Sequence, residues 1–260
     1  MDTTQKRMLE ILKQLKGEHG IIAIKSEFEA EGSRSDELVM LNEIVFRADM
    51  SMFIKIGGCE AVRDLDECRL LGAAGIMAPM IETPFAMSKF VGALKKVYTD
   101  EEINDIEIII NAETTTCHQN FDAILAEGKG VLNTIAVGRV DLSGSLGLTR
   151  DDINSDGMYE LTKELSVRAR EKGVIAGFGG GISLEAIPFI TNMADFASKF
   201  ETRKVVFPIS KDANKLRAGI LLAMEFEMLY LKNKCAFYDR MAKEDLVRMQ
   251  MLEKRLLSIQ

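Results

Sequence analysis

Glu113 and Asp141 each close an apolar run, IEIIINAE (106–113) and LNTIAVGRVD (132–141), and lie 28 residues apart. One helix-like stretch, NFDAILAEGKG, separates them. If both runs are parallel strands, the two carboxylates emerge side by side at the same sheet edge. Two hard oxygen ligands on adjacent strands suit Mg²⁺ or Mn²⁺, which keep waters and accept further ligands from a substrate. They do not suit structural zinc. The competing reading is a carboxylate pair neutralised by Arg139 or Lys55. After Asp141 comes LSGSLG, read as a loop of small residues that lets backbone approach a ligand closely. Peptide N–H groups near Val140 and Asp141 are placed to hold a carboxylate while the metal holds its neighbouring keto oxygen.

Other chemically able residues also sit where apolar runs end: Lys25, Glu27 and Glu29, then Lys55, Glu82, Arg139, Gly179–Gly181, and Glu201 with Arg203. Converging charge on one rim is expected of a binding face rather than of a purely structural sheet. GFGGGIS offers a second glycine turn, with Ser183 as the cap of the next helix; such turns can nest an anion, though tight turn geometry explains them as well.

These residues need a scaffold that brings strand ends together. Short continuous apolar runs recur at 20–28, 50–58, 74–82, 106–113, 132–141, 173–181 and 195–207. Between them lie helix-like segments such as SRSDELVMLNEIVFRAD and DGMYELTKELSVRAREKG. Strands apolar on both faces belong to a sheet covered by helices on both sides, and strand–helix alternation predicts parallel strands. Seven units are clear; an eighth is hidden at the N-terminus or within 195–207. The fold class expected is α/β, a (β/α)8 TIM barrel with a long C-terminal helical extension. Functional groups of such a barrel lie at the C-terminal ends of its strands. No G-x-G-x-x-G follows the first strand, which argues against a dinucleotide fold.

The barrel domain spans residues 1–210 and includes an N-terminal amphipathic helix. Residues 211–260 contain no proline and one glycine, with Phe237, Met241, Met249, Leu252 and Leu256 in one stripe. A single helix of about 45 residues would be roughly 70 Å long, so the segment either breaks into two helices on the barrel or leaves it as an arm for a neighbouring subunit.

Net charge is −7 with both signs interleaved, so no basic stripe marks a nucleic-acid partner. Cys59, Cys68, Cys117 and Cys235 are scattered, as expected of reduced thiols in a cytoplasmic protein. No signal sequence is visible, and no apolar run approaches a membrane span.

Three segments in order, KIGGCEAVRDLDECRLLGAAGIMAPMIET, NAETTTCHQNFDAIL and VGRVDLSGSLG, resemble the HpcH/HpaI aldolase and citrate lyase β-subunit family of phosphoenolpyruvate/pyruvate-type barrels. The likeness extends over about residues 20–207. It implies a divalent-metal-dependent aldolase or lyase acting through a pyruvate-like enolate of a 2-oxo acid, with an aldehyde as the second substrate. Glu113 and Asp141 would be the metal ligands. Lys55 stands where the family has an enolate-facing Arg; it supplies charge without the bidentate fork. The family's catalytic His, in an acidic context after an early strand, is replaced here by IKSEFEAEGSR. Its role then passes to Glu29, Glu31 or a metal-bound water. Arg203, Arg139 and the turn at Gly179 and Gly180 are candidates for holding the partner, such as a sugar-derived hydroxy-aldehyde. The resemblance also implies a homo-oligomer joined through the C-terminal helices. Rival readings are a citramalyl- or malyl-CoA-type lyase, a Schiff-base aldolase using Lys55 or Lys25, and a non-catalytic 2-oxo-acid-binding or scaffold barrel.

Overall fold

The computed structural model describes residues 1–258. Eight strands close a barrel in sequential order: β1 (Ala23–Glu27), β2 (Met52–Lys55), β3 (Gly75–Ala78), β4 (Glu107–Ala112), β5 (Thr134–Gly138), β6 (Ile175–Gly179), β7 (Lys199–Glu201) and β8 (Val205–Pro208). Helices α1 (Thr3–Gln14), α2 (Ser35–Arg47), α3 (Val62–Leu70), α4 (Pro84–Val97), α5 (Asp100–Asn104), α6 (Thr115–Glu127), α7 (Arg139–Ser145), α8 (Asp156–Glu171), α9 (Ile187–Asn192) and α10 (Ala213–Leu257) accompany them.

The expected barrel is present with one difference. Strands β1 to β7 are parallel, but β8 pairs antiparallel with both β7 and β1. Both final strands come from the single apolar run 195–207, split by the turn Thr202–Lys204. The turn is closed by bonds between Thr202 and Val205. No crossover helix fits within three residues, so a hairpin is the only connection available.

Alternation along each strand sorts its side chains between two environments. Outward residues such as Ile24, Ile54, Ile76, Ile110 and Val137 are buried under the helices. Inward ones form layers. Ala23, Phe53, Met77, Ile109, Ala136 and Val206 make a dry middle layer. Below it Lys199 pairs with Glu107, which also accepts from Thr134 Oγ1 at 2.5 Å. Above it, two residues further along the same strands, stand Lys25, Lys55, Asn111 and Gly138. The apolar layer thus seals the barrel and makes a floor for a polar mouth.

Because β8 runs from mouth to floor, α10 starts beside the floor and climbs past the mouth. Asp212 caps it, accepting from Asn214 and Lys215 N–H at 3.0 Å each. Leu216, Ile220, Ala223, Phe226 and Tyr230 are buried against the barrel. Lys234 Nζ then reaches Glu37 at 2.9 Å, and the Tyr238 hydroxyl bonds the same carboxylate. Beyond Tyr238 nearly every position is exposed, including Leu246, Val247, Met249, Leu252 and Leu256. The C-terminal segment is one unbroken helix of 45 residues whose outer turns leave the barrel.

Candidate active site at the barrel mouth

A cavity of about 490 Å³ opens at the mouth, lined by residues from β1, β2, β4, β5, β6, the β7–β8 hairpin and α10. Glu113, one residue beyond β4, is 2% exposed. Its Oε1 accepts from Met80 N–H at 3.0 Å and its Oε2 lies 3.7 Å from Lys55 Nζ. The chain makes room for it: a Cβ built on Gly138 would fall 2.5 Å from Oε2. Met80 presents its N–H from φ = 52°, an unfavourable left-handed conformation for a residue with a Cβ, while its side chain faces solvent. Burial raises the Glu113 carboxyl above the ordinary carboxylate range. Lys55 and the Met80 N–H oppose that shift, whereas Asp141 and Glu29 add to it.

Asp141 lines the same cavity but is exposed. It does not end a strand as expected. Strand β5 stops at Gly138, and RVDLSGS, read in part as a loop, winds into α7. Among the described residues no group of three or more His, Cys, Asp or Glu side chains is arranged as a metal cluster. The donor set fits a hard divalent cation that takes two carboxylates and completes its shell with water and substrate oxygens. The buried Glu113, disfavoured as a bare anion, is the group such a cation would relieve.

Lys55 is buried, 2.9 Å from Glu29 and 3.7 Å from Glu113. Burial disfavours its charge, but Glu113, then Glu29 and Glu27, outweigh this and hold it above the ordinary lysine value. Lys25 is equally occupied, 2.6 Å from Glu201. Lys55 thus lacks the depressed basicity that a Schiff-base lysine uses.

Several expected site residues stand elsewhere. Arg139 does not face the mouth: its side chain is fully buried. It donates to Gly179 O (3.1 Å), Gly180 O (2.7 Å), Ile153 O (3.2 Å) and Asn154 Oδ1 (2.8 Å), beneath the ring of Phe189. Burial pushes the guanidinium down to about 10. It therefore neither neutralises the carboxylate pair nor contacts a ligand in the cavity. Glu29 is partly exposed and holds Lys55, while Glu27 and Ala30 line the cavity instead. Glu82 lies beyond the end of β3 at Ala78. Arg203 lines the cavity, but Glu27 (2.9 Å) and Glu31 (3.4 Å) compensate its charge. Val140, Gly179 and Gly180 do line it. His118 pairs with Glu164 at 3.0 Å on the outer helices, and His19 is buried.

Several lining residues escaped sequence reasoning, Arg150 and Thr202 among them. Asn111 is buried one inward step below Glu113, with an Oδ1 that has no hydrogen-bond partner among the described residues; the period of two along β4 was the available signal. Met224 and Glu227 reach the mouth from α10, and no local pattern marks them.

The profile of the HpcH/HpaI aldolase/citrate lyase family matches residues 16–184. The chain belongs to that family. Among solved structures it is similar to an HpcH/HpaI aldolase from Desulfitobacterium hafniense DCB-2, with 16% identity and a TM-score of 0.61, over 77% of this chain and 83% of the other. A family protein from Burkholderia cenocepacia J2315 gives 15% identity and 0.60, covering 84% and 90%. The citrate synthase SbnG gives 14% and 0.59, covering 90% of each chain. At such identities these likenesses establish the fold. No curated protein matches the chain. Membership supports a lyase- or aldolase-type enzyme, in a family that generally depends on divalent metals. No described helix is long and apolar enough to cross a membrane.

Proposed function

We propose that this protein is a divalent-metal-dependent aldolase or lyase that makes or breaks a C–C bond through a pyruvate-like enolate of a 2-oxo acid. The observation that carries the reading is the meeting of Glu113, Asp141 and a protonated Lys55 in one cavity above a sealed apolar floor. Glu113 and Asp141 would hold Mg²⁺ or Mn²⁺, which when bound supplies Lewis-acid polarisation of the keto oxygen. The backbone amides at Val140 and Asp141 receive the substrate carboxylate. Lys55, fixed by Glu29, offers a preorganised positive charge to the developing enolate oxygen. Proton transfer falls to Glu27 rather than Glu29, because Glu27 lines the cavity whereas Glu29 does not and is held by Lys55. The second substrate is an aldehyde, with room for a hydroxylated chain toward Thr202, Arg203 and Glu227. The exposed apolar positions of α10 support assembly into a homo-oligomer.

The test is calorimetric titration of Mg²⁺ and Mn²⁺ into metal-stripped protein with pyruvate or oxalate present. Metal-dependent binding of the 2-oxo acid or its mimic, abolished in Asp141→Ala, is the expected result. Binding that ignores the metal or the substitution refutes the reading.

A further inference from the structure

Arg139 is a buried charge without a counter-charge. A guanidinium is almost never fully buried unless an anion accompanies it, yet its partners here are three carbonyls, one amide oxygen and aromatic rings. Among the described residues it forms no ion pair. Two of those carbonyls, of Gly179 and Gly180, belong to the turn that walls the cavity. In a trans peptide the N–H points opposite to the C=O. Each carbonyl drawn toward Arg139 therefore turns the positive end of its peptide, the N–H of Gly180 or Gly181, away from the guanidinium. The turn is also seated tightly on the next wall. Gly180 and Gly181 adopt φ of 82° and 63°. A Cβ on Gly180 would lie 2.8 Å from Val140 N and 3.1 Å from Arg139 N.

We propose that Arg139 is a positioning residue for the ligand's carboxylate: it fixes the Gly179–Gly181 turn and places behind that turn a positive charge that no carboxylate contacts and that an anion bound in the mouth would feel. This rests on the reading of the cavity as a 2-oxo acid site. The influence is electrostatic and needs no contact, because a buried charge acts through a poorly screened interior.

The experiment titrates Mn²⁺ alone into metal-stripped protein, and then oxalate into Mn²⁺-loaded protein, for wild type, Arg139→Met and Asn154→Asp. Asn154→Asp leaves Arg139 in place and sets a carboxylate at the position of the 2.8 Å amide contact, so it tests the charge even if Arg139→Met fails to fold. Both variants should bind oxalate about tenfold more weakly, which is about 1.4 kcal/mol. They should bind Mn²⁺ no more weakly than wild type, since removing or neutralising a positive charge favours a cation. A merely structural role would weaken both ligands in parallel or neither, and either result overturns the proposal. If wild type itself takes up Mn²⁺ but no oxalate, the 2-oxo acid reading falls and this inference falls with it. If wild type binds oxalate and Asn154→Asp binds it equally well, only the role of Arg139 is lost.

Discussion

Adding a single methyl group to Gly138 tests the proposed metal site without replacing either proposed ligand. Gly138 has φ = −85° and ψ = 86°, so alanine faces no left-handed penalty there and any cost is steric. The new Cβ would stand 2.5 Å from Glu113 Oε2 and 2.8 Å from Glu113 Cβ. Glu113 is 2% exposed and tied to Met80 N–H, so it can yield only toward the cavity and by giving up that bond. Overpacking of this kind costs about 1–3 kcal/mol. At roughly 2–4 °C per kcal/mol for a chain of this size, Gly138→Ala should lower Tm by about 2–12 °C. The displaced carboxylate should cost about 10–100-fold in Mn²⁺ affinity, the scale seen when a metal ligand loses its orientation. Calorimetry measures the affinity, and thermal unfolding of the metal-free protein measures the stability. A variant that folds with unchanged Mn²⁺ affinity would refute the claim that Glu113 is held in a single ligating position by the space at Gly138.

Three more expectations follow from the same geometry. Because the folded Glu113 carboxyl is held above its ordinary value, its contribution to stability is fully present below the unfolded value and is lost as pH rises through the folded one. In metal-free protein Glu113→Gln should therefore be more stable than wild type at neutral pH, an advantage that shrinks on acidification toward about pH 4.5; thermal melts across pH would show it, and a constant difference would contradict it. Borohydride added with pyruvate should trap no adduct on Lys55 or Lys25, because each is tied up by a carboxylate, Glu29 and Glu201 respectively; a stable mass increase on either would restore the Schiff-base mechanism. Met80→Gly should raise stability by about 1 kcal/mol, since the left-handed backbone costs a residue with a Cβ roughly 1–2 kcal/mol, and should preserve Mn²⁺ affinity. A loss of affinity would mean that the Met80 side chain, not its N–H, serves Glu113.

The barrel was legible in the sequence because its strands are apolar on both faces, a texture that few other arrangements require. Glu113 was legible for the same reason: a carboxylate that interrupts IEIIINA has little to do but reach the mouth. The orientation of Arg139 was not. Read as strand, positions 139 and 141 share a face; wound as helix, two steps of about 100° place them on opposite sides. Ser143 and Gly144 look like loop formers, and tertiary packing of Leu142 overrode that local preference. The hairpin of β7 and β8 was hidden because two very short strands sit inside one apolar run. Glu227 could not be found at all by local reading, since what brings it to the mouth is the direction in which β8 runs.

That direction has a mechanical consequence. Helix α10 forms a wall of the cavity at Met224 and Glu227, is pinned to α2 at Glu37, and continues for roughly 28 Å past Tyr238. The geometry is that of a lever: a long outer arm, a fulcrum at an ion pair, and a short inner arm that is part of the reaction vessel. If the proposed oligomer grips the outer turns, it loads the same helix that walls the mouth, and the proposed assembly and the proposed reaction share one rod.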